Sequence, residues 1–236
     1  MIDSGIMKPL WIIPSFSLAA ALLLPSCATK FTPGQRNALS TVAVAGTTVD
    51  ADAYEAPYGG DLEMRKNSSN VPATGILGPL IGMGIGSAVA GTQNADFKGK
   101  NSGYFPAVQK NTPADLGKTL NGTLKQRLKN DSFFRTRITE TSSNLITSEI
   151  TTYRLVRSGK NADGTLTFVP QIYAEIHLKD SKGKNLAGRT YIGTGYGGRP
   201  VADYAGSAAM TKQAYDTAVN NAVVEFTAEL RMKTGG

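Results

Sequence analysis

The sequence predicts an α+β fold: an antiparallel sheet with two helices packed on one face, plus a glycine-rich apolar insert. Three patterns carry that expectation. Leu116, Leu120, Leu124 and Leu128 recur every four residues and draw one apolar stripe along a helix. Leu166 to Leu178 alternates, with Leu166, Phe168, Ile172, Ala174, Ile176 and Leu178 on one face and Thr167, Gln171, Tyr173, Glu175 and His177 on the other. Tyr215, Ala218, Val219, Ala222, Val223, Phe226 and Leu230 then fall on one side of a last helix. The order strand, helix, three antiparallel strands, helix puts both helices against the apolar sheet face.

Taken in chain order, residues 27–40 are polar, hold Pro33 and Gly34, and read as a tether. Thr41 to Ala45 alternates as a short strand. Ala51 to Asn70 has no period, and Asn94 to Asn111 reads as loop because Gly99, Gly103 and Pro106 interrupt it. Thr112 can cap a helix that starts at Pro113, with Asp115 in its positive first turn and Asn130 at its end. Phe133 and Phe134 follow, placed to lock that helix to the sheet. A strand lies within Leu145 to Arg157. Asp163-Gly164 reverses the chain into Leu166–Leu178, and Asp180 to Asn185 reverses it again into Leu186–Thr194. The last helix runs from Ser207 to Met232 and stops at Gly235-Gly236. Nothing between Thr112 and Leu230 divides the chain, so 41–236 reads as a single domain.

A chain of 236 residues with 41% hydrophobic and 18% charged residues is globular. The formal net charge of +7 suits anionic partners such as lipid head groups, phosphorylated saccharides or an acidic protein. Its cations are scattered, however, from Lys118 to Arg199, which equally describes a solvated basic surface.

Cys27 is the only cysteine, so it forms no internal disulfide and completes no cysteine metal cluster. It ends an apolar run, Leu10 to Leu24, that follows the positive start Met7-Lys8. That run is about 15 residues and holds Pro14, short of the ~20 needed to span a bilayer. Leu24, Ser26 and Cys27 resemble the lipobox of bacterial lipoproteins, although Pro25 departs from it. The resemblance implies a signal peptide over 1–26, acylation of Cys27, and, from Ala28, sorting to the outer membrane facing the periplasm. The alternative is an ordinary cleaved signal with an exposed free thiol.

The order of elements, a helix ending in Lys129-Asn130-Asp131-Ser132-Phe133-Phe134, and the hairpin from Lys179 to Asn185 resemble a group of small envelope lipoproteins. That group includes the YajG-type, curli-secretion and penicillin-binding-protein activator lipoproteins. The resemblance covers about Thr112 to Leu230. It implies a non-enzymatic factor that binds or assembles envelope machinery. A nucleic-acid role does not fit an exported chain.

Between Lys66 and Asp96 there is no charge, and Gly78, Gly82, Gly86 and Ala90 are spaced four apart. On a helix they line a groove of small residues where another backbone can approach, as in glycine-zipper segments. The segment 75–92 would then build an oligomeric membrane-inserting ring or pore, the alternative function. Glycine costs about 1 kcal/mol per position in a helix, so an irregular buried loop stays equally open.

Gly193-Thr194-Gly195-Tyr196-Gly197-Gly198 formally fits a dinucleotide fingerprint, but Arg199-Pro200 interrupts and no parallel strand follows. It reads as a flexible loop, and Tyr196, Arg199 and Tyr204 make it a candidate contact loop. With His177 the single histidine, the sequence offers neither a Cys-His pair nor a histidine metal site, no cofactor site is expected, and a Ser-Lys pair stays open without a local signature. The expected partner surface is the sheet face turned away from the helices: Tyr173, Glu175 and His177, joined by Arg189 and Tyr191 on the next strand. A solvated open face is the alternative.

Overall fold

The computed structural model describes residues 29–59 and 95–235. Over these the chain forms helix α1 (Pro33–Ala38), strand β1 (Val42–Val49), a helical stretch at 95–101, a 3-10 turn Ser102–Tyr104 and α2 (Phe105–Asn111). There follow α3 (Leu116–Lys129), β2 (Ile138–Thr139), β3 (Leu145–Lys160), β4 (Leu166–Lys179), β5 (Asn185–Thr194), α4 (Val201–Gly206) and α5 (Ala208–Thr234).

The fold is α+β. Five strands form one sheet in the order β2-β1-β3-β4-β5. β3, β4 and β5 are antiparallel neighbours, as their turn sequences predict, with Gly164 and Gly183 at φ of 85° and 77° in the two reversals. β1 differs: it runs parallel to both β2 and β3. Helices α3 and α5 cover one face. The Leu116, Leu120, Leu124 and Leu128 stripe is buried, as is every apolar residue assigned to the last helix. The sheet supplies Ile146, Ile150, Phe168, Ile172, Ala174, Ile176 and Leu178 to the same core.

Close approach of α5 to β5 depends on Gly193. A Cβ there would lie 1.9 Å from the carbonyl oxygen of Ala218. Side chains also cross the layers: Arg127 donates to Asn220 Oδ1 at 2.8 Å from Nη2, and Asn221 donates to the Thr194 carbonyl at 2.7 Å.

Three local expectations are corrected. The stretch read as a tether is packed from Phe31 onward, because Phe31 and Leu39 both enter the core. A capping box starts α1 there: Thr32 Oγ1 accepts from Gln35 N–H at 3.2 Å, and Thr32 N–H donates to Gln35 Oε1 at 2.9 Å. The stretch read as loop before Asn111 is helical, with Pro106 in the first turn of α2, where a missing N–H is harmless. Thr112 does not cap the following helix. Its hydroxyl donates back to the Val108 carbonyl, ending α2, and α3 begins only at Leu116.

The strands give the molecule two distinct ends. β1, β3 and β5 start, and β4 finishes, at the end where Phe31 N–H donates to the Lys233 carbonyl at 2.8 Å. Both long helices finish there too. The β3–β4 turn, α2 and α4 occupy the other end.

Candidate functional site

Cross-strand register decides what the outer sheet face carries. Tyr173 lies between Thr152 and Ile192, Glu175 between Glu149 and Thr190, and His177 between Thr147 and Gly188. Among the described elements no helix lies on this side. Tyr173 and His177 are half-buried and Glu175 is exposed, where the alternation of β4 places them. His177 Nδ1 sits 3.0 Å from Asn185 Nδ2.

Arg189 and Tyr191 are not on this face, which corrects the expected surface. Tyr191 pairs with Ala174 and is 1% exposed in the helix-side core, its ring edge-on to Phe226 at 5.6 Å. Its hydroxyl donates to Glu229 Oε2 on α5 at 2.7 Å, while Gly188 N–H donates to Oε1 at 3.2 Å. Arg189 stands on the same side, its Nε 3.8 Å from Glu229 Oε2. The cause is a bulge: Leu178 pairs with Ala187 but Lys179 with Asn185, so one extra residue of β5 exchanges its two faces. Small Ala187 and Gly193 then face α5, which needs the room. Burial pushes the Tyr191 hydroxyl far up from its ordinary value, with the Glu229 charge adding to it. Burial likewise raises the Glu225 carboxyl above the usual range, and nearby Arg189 opposes it.

Toward the β3–β4 turn the outer face gains a charged and aromatic group missed in the sequence. Arg154 Nη1 pairs with Glu55 Oε2 at 2.7 Å, and its guanidinium lies 5.7 Å from the Tyr58 ring and 5.9 Å from Tyr173. Segment 53–58 reaches this place by running parallel to β3, bridging Tyr54 to Tyr153 and Tyr58 to Val156. Opposite Arg154, Gln171 is 7% exposed, and neither Arg154 Nε nor Gln171 Oε1 has a hydrogen-bond partner among the described residues. No pattern in the sequence links residue 55 to residue 154. At the same end a cleft of about 560 Å³ is lined by Phe97, Tyr104, Leu166, Phe168 and Val201, with Lys100 and Lys160 among its cations.

Of the three side chains singled out in the Gly193–Tyr204 loop, Tyr196 and Arg199 are exposed and Tyr204 is buried. The Arg199 backbone pairs with Phe168 through both hydrogen bonds, which leaves its side chain outside. Tyr204 is buried in α4 and donates to the Phe168 carbonyl at 2.8 Å; burial pushes its hydroxyl up to about 12. Cys27 and the positions Gly78, Gly82, Gly86 and Ala90 lie outside the described residues. Among the described residues there is no helix long and apolar enough to cross a membrane and no group of potential metal ligands.

No protein-family model and no curated protein matches the chain. Among solved structures, protein XCC0632 from Xanthomonas campestris, of family-model DUF330, is similar over 83% of this chain and 85% of that one. The identity is 13% and the TM-score 0.38, a likeness too slight to carry an argument about function.

Proposed function

We propose that the chain is an outer-membrane lipoprotein, acylated at Cys27, facing the periplasm and acting without catalysis as a binding or assembly factor of the envelope. The lipobox-like Leu24, Ser26 and Cys27 support the anchor. Two or three acyl chains, at about 0.8 kcal/mol per buried methylene, hold a protein firmly in a bilayer.

The observation that carries the binding role is the outer face of β4 and β5. Tyr173 and Ile192 offer apolar contact area beside an unfavourable pair, Glu149 directly opposite Glu175. Like charges at facing sheet positions repel, and a cationic side chain from a partner relieves that repulsion. Tyr is among the residues that most often concentrate interface energy.

The test changes Tyr173, Thr190 and Ile192 together to Ala, all on the outer face and none buried in the core. The variant should fold as wild type yet lose most of the envelope proteins recovered after mild crosslinking. Equal recovery of the same proteins would place binding elsewhere. Mass spectrometry of the mature protein tests the anchor separately, since an unmodified Cys27 in the membrane fraction contradicts it.

A further inference from the structure

Charge is distributed unequally between the two ends of the fold. Asp96, Asp115, Asp163 and Asp203 lie toward the end of the β3–β4 turn, intermingled with lysines, while Asp50 and Asp52 follow β1 beside the middle of β3. At the opposite end, where Phe31 meets Lys233, the exposed or half-exposed side chains include Lys30, Arg36, Arg135, Arg137, Lys182 and Lys184. Of the carboxylates there, Glu140 is exposed after β2, whereas Asp131 and Asp180 are engaged. Asp131 is 4% exposed, accepts from Phe133 and Phe134 N–H, and pairs with Arg231 at 3.1 Å. Asp180 accepts from the backbone N–H groups of Lys182 and Lys184, both at 2.9 Å.

In the middle of this end is an open polar cleft of about 510 Å³, lined by Arg36, Asn37, Ser132, Phe133, Arg137 and Thr234. Two guanidinium groups lie against one ring: Arg137 at 4.0 Å and Arg36 at 5.6 Å from the Phe133 centroid. Arg137 also donates to the Phe133 carbonyl, which fixes it in place. A planar guanidinium held in position is well matched to phosphate oxygens. Among the described residues the cleft lining contains no carboxylate.

The chain supplies the geometry. Phe31 is core and Cys27 is four residues before it, so the link spans at most about 14 Å even when fully extended. That is close to the ~8–10 Å over which salt screens a surface charge. We propose that this basic end, centred on the Arg36–Phe133–Arg137 cleft, docks on the anionic surface of the bilayer that receives the acyl chains. The domain then stands on the membrane with its β3–β4 turn pointing away. The inference rests on acylation of Cys27 for its orientation.

The test uses the processed chain from residue 27 with Cys27→Ala, which carries no acyl group, and vesicles of phosphatidylcholine alone or mixed equally with phosphatidylglycerol. Sedimentation with the anionic vesicles only, weakened by salt, is expected. Arg36→Glu, Arg135→Glu and Lys182→Glu together should weaken it about tenfold or more, since each cation near such a surface contributes measurably. Lys98→Glu, Lys110→Glu and Lys160→Glu, the same charge change at the other end, should leave it nearly unchanged. The Gln counterparts of the first set give the same ranking if charge reversal disturbs folding. Equal loss from both sets, or no preference for phosphatidylglycerol, overturns the docking while an acylated Cys27 keeps the lipoprotein reading. An unacylated Cys27 in the native protein overturns that reading, and with it the orientation.

Discussion

Replacing Tyr191 by phenylalanine deletes one oxygen that donates to the Glu229 carboxylate at 2.7 Å. A hydrogen bond to a charged group contributes about 1.5–3 kcal/mol. Glu229 keeps Gly188 N–H at 3.2 Å, Arg189 at 3.8 Å and Lys233 at 4.0 Å, so the low end of that range applies. Tyr191→Ala removes the ring as well, from a position 1% exposed and edge-on to Phe226, at a cost of about 3–5 kcal/mol. With a urea m-value of about 2 kcal/mol per molar, the midpoint should fall by roughly 0.7 M for phenylalanine and roughly 2 M for alanine. Tyr173→Ala, on the outer face, should cost less than about 1 kcal/mol. Urea unfolding followed by circular dichroism reads all three, with m unchanged. If Tyr191→Ala unfolds at the wild-type midpoint while Tyr173→Ala does not, β5 presents its other face to the helices and the register argument is wrong.

Other outcomes follow from the same packing. Gly193→Ala forces a methyl to 1.9 Å from the Ala218 carbonyl oxygen, so α5 must shift; a loss of about 1–3 kcal/mol or more is expected in thermal unfolding, and an unchanged Tm would contradict the close approach. Glu225 is held protonated by burial more readily in the native than in the unfolded chain, so it lowers stability as pH rises through and above the ordinary glutamate range. Glu225→Gln should therefore raise Tm near neutral pH, with the gain vanishing in acid; a gain that persists in acid would show a cause other than charge. The outer-face triple variant and the paired charge reversals described above complete the set.

The long elements were legible because their residues obey one period with little competition. In α5 the small and apolar positions, from Tyr215 to Leu230, fit a 3.6 repeat, and in β4 the alternation is unbroken over the core residues. β5 was not legible in the same way. Leu186, Thr190 and Ile192 look as suitable for a core as Ala187, Tyr191 and Gly193, so local pattern leaves the face open. A bulge and the demand of α5 for small neighbours decide it, and both are tertiary effects. The packed segment before β1 offers just Phe31 and Leu39 as apolar anchors, too far apart to draw a stripe, although Thr32-Pro33-Gly34-Gln35 is a readable capping box. The group of Glu55, Tyr58, Arg154 and Tyr173 depends on pairing between segments far apart in sequence, which no local spacing encodes.

The contact between Phe31 and Lys233 has a practical side for anyone building on this scaffold. The first and last turns of the described chain share one end, so a reporter or affinity tag placed after Gly235 emerges beside the segment that leads into Phe31, on the side of the proposed anchor. A peptide inserted between Asn161 and Thr165, where every residue is exposed, emerges at the remote tip instead. Joining residue 29 to residue 235 and reopening the backbone at that tip would keep every strand pairing while moving the start of the chain to the opposite pole. A lipid attached at the new start would then suspend the domain upside down, with the arginine cleft turned outward.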